Sequence, residues 1–372
     1  MLFNFFLMNT NKNSNLPINL LNELLNKSVG NNKNITIINK LAEGGYGKVY
    51  IGQYDGYTIV LKIIQLEITN DINYKNKKKL IQEEINIHRN LNHPNIIRSF
   101  NHTTFSYDNY EYFVIFMYNA INKDLYTFIH YMEKNILKIS NNTVNFKFIF
   151  YYSEISILFL ISQIIKGLFC MHEHNIIHSD LKPQNILIFN NFNIKITDFS
   201  ISTSINKSKN TFLHIGTLNY SCFECINGIT LSINATKVDF FSLGITILEI
   251  IMKKTLNYKK DDLSSKKDID QFSKIITNAL NELINLNLLL GNYYSKELII
   301  LIQGLLNPDP NERFGFKEIV NSKWINNNYE VMNHIYKINV YENELKLFIE
   351  LQKNSKLLNI KNSYRRKYCI NF

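Results

Sequence analysis

A glycine-rich stretch near the N-terminus contains the residue types that bind phosphate. Residues 41–50 read LAEGGYGKVY and lie between two runs that predict strands. Glycines let backbone N–H groups approach phosphate oxygens, and a hairpin can fold over those oxygens like a flap. Lys62 on the next predicted strand could reach the same phosphates, and Glu84 on the following predicted helix could pair with its ammonium. Alone, however, these features fit an ordinary hairpin turn and a solvated lysine equally well.

A second cluster of chemically capable side chains follows a short apolar run. Residues 174–185 read HNIIHSDLKPQN, which places an acid, a lysine and an amide (Asp180, Lys182 and Asn185) within six positions. Pro183 stiffens the segment between the last two. The cluster is either a charged surface turn or one part of a site whose other members lie elsewhere in the chain.

The first third of the chain has the patterns of a sheet with one helix. Short β-branched runs, the first three broken by glycines, predict antiparallel strands. These strands span residues 35–41, 44–52, 57–64, 97–103 and 112–117. Apolar residues at helical spacing predict a helix over 80–91, which ends before Pro94.

Beyond residue 119 the pattern becomes helical. Helices are predicted over 124–132 and 154–172, and the segment 133–153 between them has no clear period and is interpreted as an insertion. A strand pair is predicted at 186–189 and 194–197, and helices separated by Asn- and Lys-rich loops make up the remainder.

Taken together, these motifs resemble those of eukaryotic-type protein kinases, serine/threonine branch. The resemblance covers residues 37–326, and its motifs occur in the family's order. They are the glycine-rich loop (Gly44, Gly45, Gly47), the strand lysine Lys62, the helix glutamate Glu84 with Glu83 as the alternative, the loop 178–185, the triplet Asp198-Phe199-Ser200, "GTLNYSCFE" at 216–224, "DFFSLG" at 239–244, and Arg313.

The resemblance implies an α+β, bilobal fold. A small antiparallel sheet lobe with one main helix would bind nucleotide over residues 35–119, and a larger, mainly helical lobe would carry catalysis and substrate over 120–326. Residues 1–34 are Asn-rich and are expected to be a loosely ordered extension. Residues 327–372 form a C-terminal extension, whose helical pattern at 341–351 would dock a partner or cap the lobe.

The implied activity is ATP-dependent transfer of the γ-phosphate to a protein hydroxyl, with Mg²⁺ as the metal. Asp180 would orient the acceptor hydroxyl and take its proton, while Lys182 would neutralise charge on the transferring group. Asn185 and Asp198 would hold Mg²⁺. The residues implied to bind ATP are Leu41, Ala42, Glu43, Gly44, Gly45, Tyr46, Gly47, Lys48, Val49, Lys62, Glu84, Met117, Tyr118 and Asn119. "DLKPQN" and Thr217 match the serine/threonine pattern.

Four positions depart from the family pattern. Ala42 replaces the first loop glycine, and Ser179 replaces an arginine that captures an activation-loop phosphate in many members. Ser200 replaces a glycine, which would cost about 1–2 kcal/mol if the residue takes positive φ. Cys222-Phe223 replaces alanine-proline. These departures slightly favour an alternative function, a weak or inactive pseudokinase acting as a binding scaffold. The intact Lys62, Glu84, Asp180, Asn185 and Asp198 argue strongly against it. A small-molecule kinase is disfavoured by the later motifs.

The bulk properties indicate which partners to expect. The net charge is +10, but the positive residues are dispersed apart from clusters at 75–79 and 365–367, which is typical of solvated surfaces rather than a nucleic-acid groove. The resemblance implies a protein substrate with a Ser/Thr acceptor, and the basic balance weakly favours acidic substrates. The sequence identifies no regulatory partner.

The cysteines and apolar runs predict an intracellular protein, and a cytoplasmic location is expected ahead of a nuclear one. Four cysteines in 372 residues make no disulfide framework, and the single C-x-x-C at Cys222 and Cys225 lacks a second pair for a metal. The longest apolar run, 155–161, is too short for a membrane span of roughly 20 residues, and residues 1–8 make a poor signal peptide.

Overall fold

The computed structural model describes residues 16–30, 34–120, 124–130, 151–205, 216–227, 235–256, 269–328 and 369–370. The chain divides into two units. The first comprises Met1–Ala120 with Phe199–Ile201, and the second comprises Ile121–Asp198 with Ser202–Phe372. The first is built on a sheet and the second on helices, which confirms the predicted α+β class.

The sheet of the first unit has five antiparallel strands in the order β1-β2-β3-β5-β4. They are β1 (Ile35–Gly44), β2 (Gly47–Tyr54), β3 (Tyr57–Glu67), β4 (Ser99–Tyr107) and β5 (Tyr110–Tyr118). Each corresponds to a predicted strand, with shifted ends. The turn between β2 and β3 explains why β2 ends at Tyr54 and β3 begins at Tyr57. The two residues between them, Asp55 and Gly56, both have positive φ (49° and 84°). That conformation is typical of a two-residue hairpin turn.

Helices cover both faces of this sheet. Side chains alternate along β3, so Leu61 and Ile63 lie on one face and Lys62 on the other. On the first face, helix α1 (Ile18–Val29) packs Leu21 and Leu25 into a core that includes Leu61 and Ile63. On the opposite face lies helix α2 (Ile72–Asn90), whose Glu84 reaches Lys62.

For residues 18–29, helix α1 corrects the expectation that the N-terminal extension is loosely ordered. The Asn26 side chain accepts a hydrogen bond from Ile35 N and donates one to Ile35 O, both at 2.8 Å, and Asn22 accepts from Ile37 N at 2.9 Å. The helix was missed because its polar positions are asparagines, like those of the flanking sequence. Leu21 and Leu25, one turn apart and both buried, were the signal that should have identified it.

Helix α2 begins eight residues before the predicted residue 80. Its N-cap is Asp71, whose carboxylate accepts a hydrogen bond from Tyr74 N at 2.8 Å. The first two turns are rich in lysine and asparagine, so their apolar period is too weak to indicate a helix. The cap, a preferred residue type at that position, marks the true start.

The second unit is mainly helical. Residues 125–130 are helical, followed by α3 (Glu154–Glu173), α4 (Phe223–Ile226), α5 (Lys237–Met252), α6 (Ile269–Leu289), α7 (Lys296–Leu305), α8 (Phe316–Val320) and α9 (Lys323–Asn327). Short strands form three pairs: β6 (Tyr151–Tyr152) with β11 (Cys369–Ile370), β7 (Ile176–Ile177) with β10 (Thr203–Ser204), and β8 (Ile186–Ile188) with β9 (Ile194–Ile196). The β8–β9 pair matches the predicted strand pair.

Helix α3 is apolar on nearly all sides because it is a core helix. Among the described residues it is the one helix with the length and composition to cross a membrane, but 72% of its apolar window is buried inside the protein. Several predictions concern residues outside the described part of the chain: most of the insertion at 133–153, the helical pattern at 341–351 and the basic cluster at 365–367.

Candidate active site

The glycine-rich stretch forms the hairpin between β1 and β2. Gly44 pairs with Gly47, and the two turn residues lie between them. Gly47 has φ +132°, and a Cβ there would lie 2.8 Å from the carbonyl oxygen of Ile63, so only glycine fits. At Gly44 and Gly45 a Cβ would meet nothing within 4 Å. The open backbone at the tip suits the close approach of phosphate oxygens.

The charges near this hairpin are paired on its surface. Glu43 accepts a hydrogen bond from Lys40 at 2.7 Å and lies 3.8 Å from the Lys48 ammonium. Leu41 is 54% exposed, and the Ala42 backbone lies opposite Val49. The first loop position therefore stays paired with β2 with alanine in place of glycine, next to a register shift between Lys40 and Ala42.

Lys62 and Glu84 form a buried ion pair. The Lys62 Nζ lies 2.6 Å from Glu84 Oε1, and the two side chains are 9% and 1% exposed. Glu83, the alternative partner, lies instead 3.9 Å from Lys79 on the exposed side of α2. The structure thus selects Glu84. Because a buried charge without its partner is costly, the pair fixes the position of the ammonium.

Three of the residues predicted to bind ATP lie at the end of the sheet. Met117 is buried near the end of β5 opposite Val60, whereas Tyr118 is 60% exposed and Asn119 follows the strand. Their contact with nucleotide remains a prediction.

In the acid–lysine–amide cluster, the lysine and the amide both donate hydrogen bonds to the Asp180 carboxylate. Lys182 Nζ donates to Asp180 Oδ2 at 2.6 Å and to Thr217 Oγ1 at 2.5 Å. Asn185 Nδ2 donates to the Asp180 main-chain oxygen at 2.8 Å and to Oδ2 at 3.1 Å. Thr217 N donates to Asp180 Oδ1 at 2.7 Å. Both oxygens of Asp180 are therefore held in place, and the cluster is not a solvated surface turn.

Gly216 explains how Thr217 comes so close to this cluster. A Cβ at Gly216 would lie 2.4 Å from Ser179 O and 2.7 Å from Asp180 Oδ1, so no side chain fits there. Thr217 was predicted only as a marker of the serine/threonine branch. Its contacts with both Asp180 and Lys182 were not predicted, because 35 residues separate it from Lys182 in sequence.

Asp239 on α5 holds the backbone just before Asp180. Its fully buried carboxylate accepts hydrogen bonds from His178 N and Ser179 N, both at 2.9 Å. His172 Nε2 lies 2.8 Å from the same carboxylate. Burial raises the pKa of Asp239, but the bonds and charges of His172 and His178 outweigh burial and bring the pKa below its usual value. The backbone at Ser179 can therefore be held at φ 68°.

The β8–β9 hairpin brings the two predicted magnesium ligands to one end of the second unit. Asn185 and Asp198 are thirteen positions apart in sequence, but the pairing of Ile186 with Ile196 brings the segments that carry them together. Thr197 N donates to Asn185 O at 3.0 Å. Because Asn185 donates through its amide nitrogen, its amide oxygen is the atom suited to a metal. With the Asp198 carboxylate this gives the hard oxygen ligands that Mg²⁺ prefers. The residues therefore fit the ion, although no group of three or more His, Cys, Asp or Glu residues with metal spacing occurs in the described part of the chain.

The backbone strain expected at Ser200 lies at Asp198 instead. Ser200 does not have positive φ, whereas Asp198 has φ 67°. Serine in place of glycine is therefore accommodated without backbone strain. The neighbouring Phe199 packs edge-on against His88 of α2, with ring centroids 4.9 Å apart and both side chains 1% exposed. This contact gives His88 a role in the packing of α2.

The later motifs anchor the second unit. Arg313 binds Glu224 through both nitrogens, at 2.5 and 3.0 Å, and the two side chains are 0% and 2% exposed. Cys222, at the unusual position before Glu224, is a buried free thiol whose sulfur lies 3.3 Å from that of Cys225. The bond from Cys222 and burial both raise the pKa of the Cys225 thiol.

Comparison with known proteins gives the class to which this fold and site belong. A family model, the protein kinase domain, matches residues 35–325. A developmentally regulated protein kinase 1 of Dictyostelium discoideum is 28% identical over 330 residues, which cover 87% of this chain and 41% of that protein. An Aurora kinase of Eremothecium gossypii is 26% identical over 290 residues, covering 77% of this chain and 68% of that protein.

The match extends over most of the chain, and the chain belongs to the protein kinase family. A probable serine/threonine-protein kinase of Dictyostelium discoideum is 27% identical over 78% of this chain but only 30% of its own length. The chain thus spans less than half the length of these two Dictyostelium relatives.

Proposed function

We propose that this protein is an active, ATP-dependent serine/threonine protein kinase. The observation that carries the proposal is the arrangement around Asp180, in which Lys182, Asn185 and Thr217 all contact one carboxylate. A scaffold that only binds has no need for a lysine and a threonine held against a potential base. The names of the relatives and the "DLKPQN" sequence support serine or threonine as the acceptor.

Each residue of the cluster has a defined task in the proposed reaction. Asp180 Oδ2 accepts the proton of the acceptor hydroxyl and directs that oxygen at the γ-phosphorus. Lys182 lies next to the same oxygen and offsets the negative charge of the transferring group. Thr217 N holds Oδ1, so that the carboxylate does not rotate away from the acceptor.

Other residues position ATP. Lys62, oriented by Glu84, binds the α- and β-phosphates, and the hairpin glycines cover them with backbone N–H groups. Asn185 and Asp198 would hold Mg²⁺, which supplies charge neutralisation at the β- and γ-phosphates. An intracellular, cytoplasmic location is part of the proposal, because ATP is the substrate and Cys170, Cys222 and Cys225 are free thiols.

The test is transfer of label from [γ-³²P]ATP to a mixture of acceptor proteins, followed by identification of the labelled amino acid. We expect label on serine and threonine, absent from tyrosine and lost when EDTA removes magnesium. ATP binding without transfer to any acceptor would instead support the scaffold alternative, which the substitutions at Ala42, Ser179, Ser200 and Cys222 had favoured.

Activity is expected to be independent of phosphorylation in the segment that follows the metal triplet. Ser179, at the position of the phosphate-capturing arginine, is uncharged and only 5% exposed, so it gains nothing from a nearby phosphate. Ser202 is also buried, and its hydroxyl donates to His178 O at 3.1 Å. The other candidate hydroxyls are Thr203 and Ser204, and Ser208 and Thr211 lie outside the described residues.

Phosphatase treatment of the purified protein, followed by removal of the phosphatase, measures this independence. The treated and untreated samples should transfer phosphate at the same initial rate. Loss of activity on treatment, restored by incubation with ATP, would contradict the expectation.

A further inference from the structure

A second polar cluster joins helix α2 to the sheet, away from the Lys62–Glu84 pair. Lys78 Nζ donates to both carboxylate oxygens of Glu111 on β5, at 2.9 and 2.8 Å. Tyr74, one turn earlier, donates its hydroxyl proton to Glu111 Oε2 at 2.7 Å. The side chains of Lys78 and Glu111 are 33% and 16% exposed, so the pair is partly shielded from water.

This cluster lies on the face of the sheet that carries Lys62. Residues of one face alternate along a strand, so Glu111, Phe113 and Ile115 of β5 share a face. Ile115 is the register partner of Lys62 on β3. Glu111 is thus placed four residues from the position opposite the lysine and points toward the same helix.

Tyr74 and Lys78 lie on the same side of α2 as three of its buried residues. Tyr74, Lys78, Ile81, Ile85 and His88 are spaced by three or four residues, which puts them on one side of the helix. Glu84 lies beside these residues, six residues beyond Lys78, or about 9 Å along the axis. The pair at Lys78 therefore holds the helix less than two turns before the residue that orients Lys62.

The contacts around Lys78 favour a fixed side chain. Its ammonium lies 5.5 Å from the centroid of the Tyr74 ring and 5.9 Å from that of Phe113. The hydrogen bonds that Lys78 donates to Glu111 raise the pKa of Lys78, and burial opposes this only in part. A lysine held by a bidentate carboxylate and two aromatic rings differs from a solvated surface lysine.

We propose that Glu111 is a positioning residue for phosphoryl transfer. By holding Tyr74 and Lys78, it seats the N-terminal half of α2 on the sheet, so that Glu84 meets Lys62 through contacts made by this chain alone. The proposal rests on the proposed function, because its consequence is measured on ATP. It assigns a role to part of the basic cluster at 75–79, which the function itself leaves unused.

Glu111→Gln tests the role, because glutamine keeps the shape of the side chain and an acceptor for Tyr74 but loses the charge. We expect kcat/KM for ATP to fall about tenfold, mainly through a higher KM, because Lys62 is less often in place. Amide hydrogen exchange across residues 72–83 should become faster in the same variant, whereas exchange in the second unit should not change.

Lys79→Met is the matched control. Lys79 lies on the same helix next to Lys78, but its pair with Glu83 spans 3.9 Å and the two side chains are 76% and 40% exposed. The Lys79→Met variant should keep the wild-type KM for ATP and the wild-type rate of amide hydrogen exchange across residues 72–83. The single variants Lys78→Glu and Glu111→Lys should each lower kcat/KM for ATP. The double variant that carries both changes restores an ion pair with its charges reversed and should recover part of that loss.

The two readouts separate this proposal from the proposed function. Glu111→Gln with wild-type exchange in α2, or with faster exchange but unchanged KM and kcat, would overturn the positioning role. A wild-type protein that transfers no phosphate would overturn the proposed function. In that case the effect of Glu111→Gln on α2 exchange and on ATP binding decides the positioning role by itself.

Discussion

Replacing Asp180 with alanine is expected to lower kcat for phosphoryl transfer by about 10²–10⁴-fold, the usual contribution of a general base. Affinity for ATP measured without Mg²⁺ should stay close to that of wild type, because Asp180 contacts Lys182, Asn185 and Thr217 rather than Lys62, Glu84 or the hairpin glycines. Initial rates at saturating ATP measure kcat, and fluorescence titration with a labelled nucleotide measures affinity.

Asp180→Asn separates chemistry from local structure. The asparagine oxygen can still accept the hydrogen bond from Thr217 N, so the contact with that segment is kept. The amide nitrogen cannot accept the two bonds that Oδ2 received from Lys182 and Asn185, and the side chain takes up no proton at neutral pH. Both variants should therefore lose transfer to a similar extent. If Asp180→Asn retained most of the wild-type kcat, Asp180 would act only through the loop and its assignment as base would be wrong.

Replacing Arg313 with methionine is expected to destabilise the second unit by about 3–5 kcal/mol, because it leaves the buried carboxylate of Glu224 without its partner. Arg313 also donates from Nε to Asn307 O at 2.9 Å and from a terminal nitrogen to Pro308 O at 3.1 Å. The change therefore removes the link between α4 and the turn before α8.

The single tryptophan gives a direct readout of this effect. Trp324 is 1% exposed and belongs to the second unit, so its fluorescence in a urea titration follows unfolding of that unit. Lys254→Met is the control, since the pair of Lys254 with Glu282 has side chains 62% and 54% exposed and should contribute at most about 1 kcal/mol. Equal losses in both variants would show that the burial of the Arg313 pair does not govern its contribution.

The sequence was most informative where several residues of a motif act together. Asp180, Lys182 and Asn185 lie within six positions, so their convergence on one carboxylate required little long-range structure. The pairing of Lys62 with Glu84 was also predictable, because a strand lysine and a helix glutamate follow the glycine-rich hairpin in a fixed order. The choice between Glu83 and Glu84 depended on which side of α2 faces the sheet.

The features that sequence did not predict depend on long-range contacts or on polar residues in helices. Glu111 lies 33 residues from Lys78, and neither residue belongs to a local motif. Helix α1 was hidden because asparagines occupy the positions where charged residues usually mark a helix surface. The location of backbone strain at Asp198 rather than Ser200 follows from tertiary packing, which residue types alone do not specify.

ATP binding, measured by calorimetry with and without Mg²⁺, tests most directly whether Lys62 and the two predicted metal ligands act on one nucleotide. Wild type should bind more tightly with the metal present. Lys62→Met should weaken binding in both conditions, and Asp198→Asn should weaken it only when Mg²⁺ is present. Equal affinities for all three proteins in both conditions would contradict the assignment of these residues to a magnesium–nucleotide site.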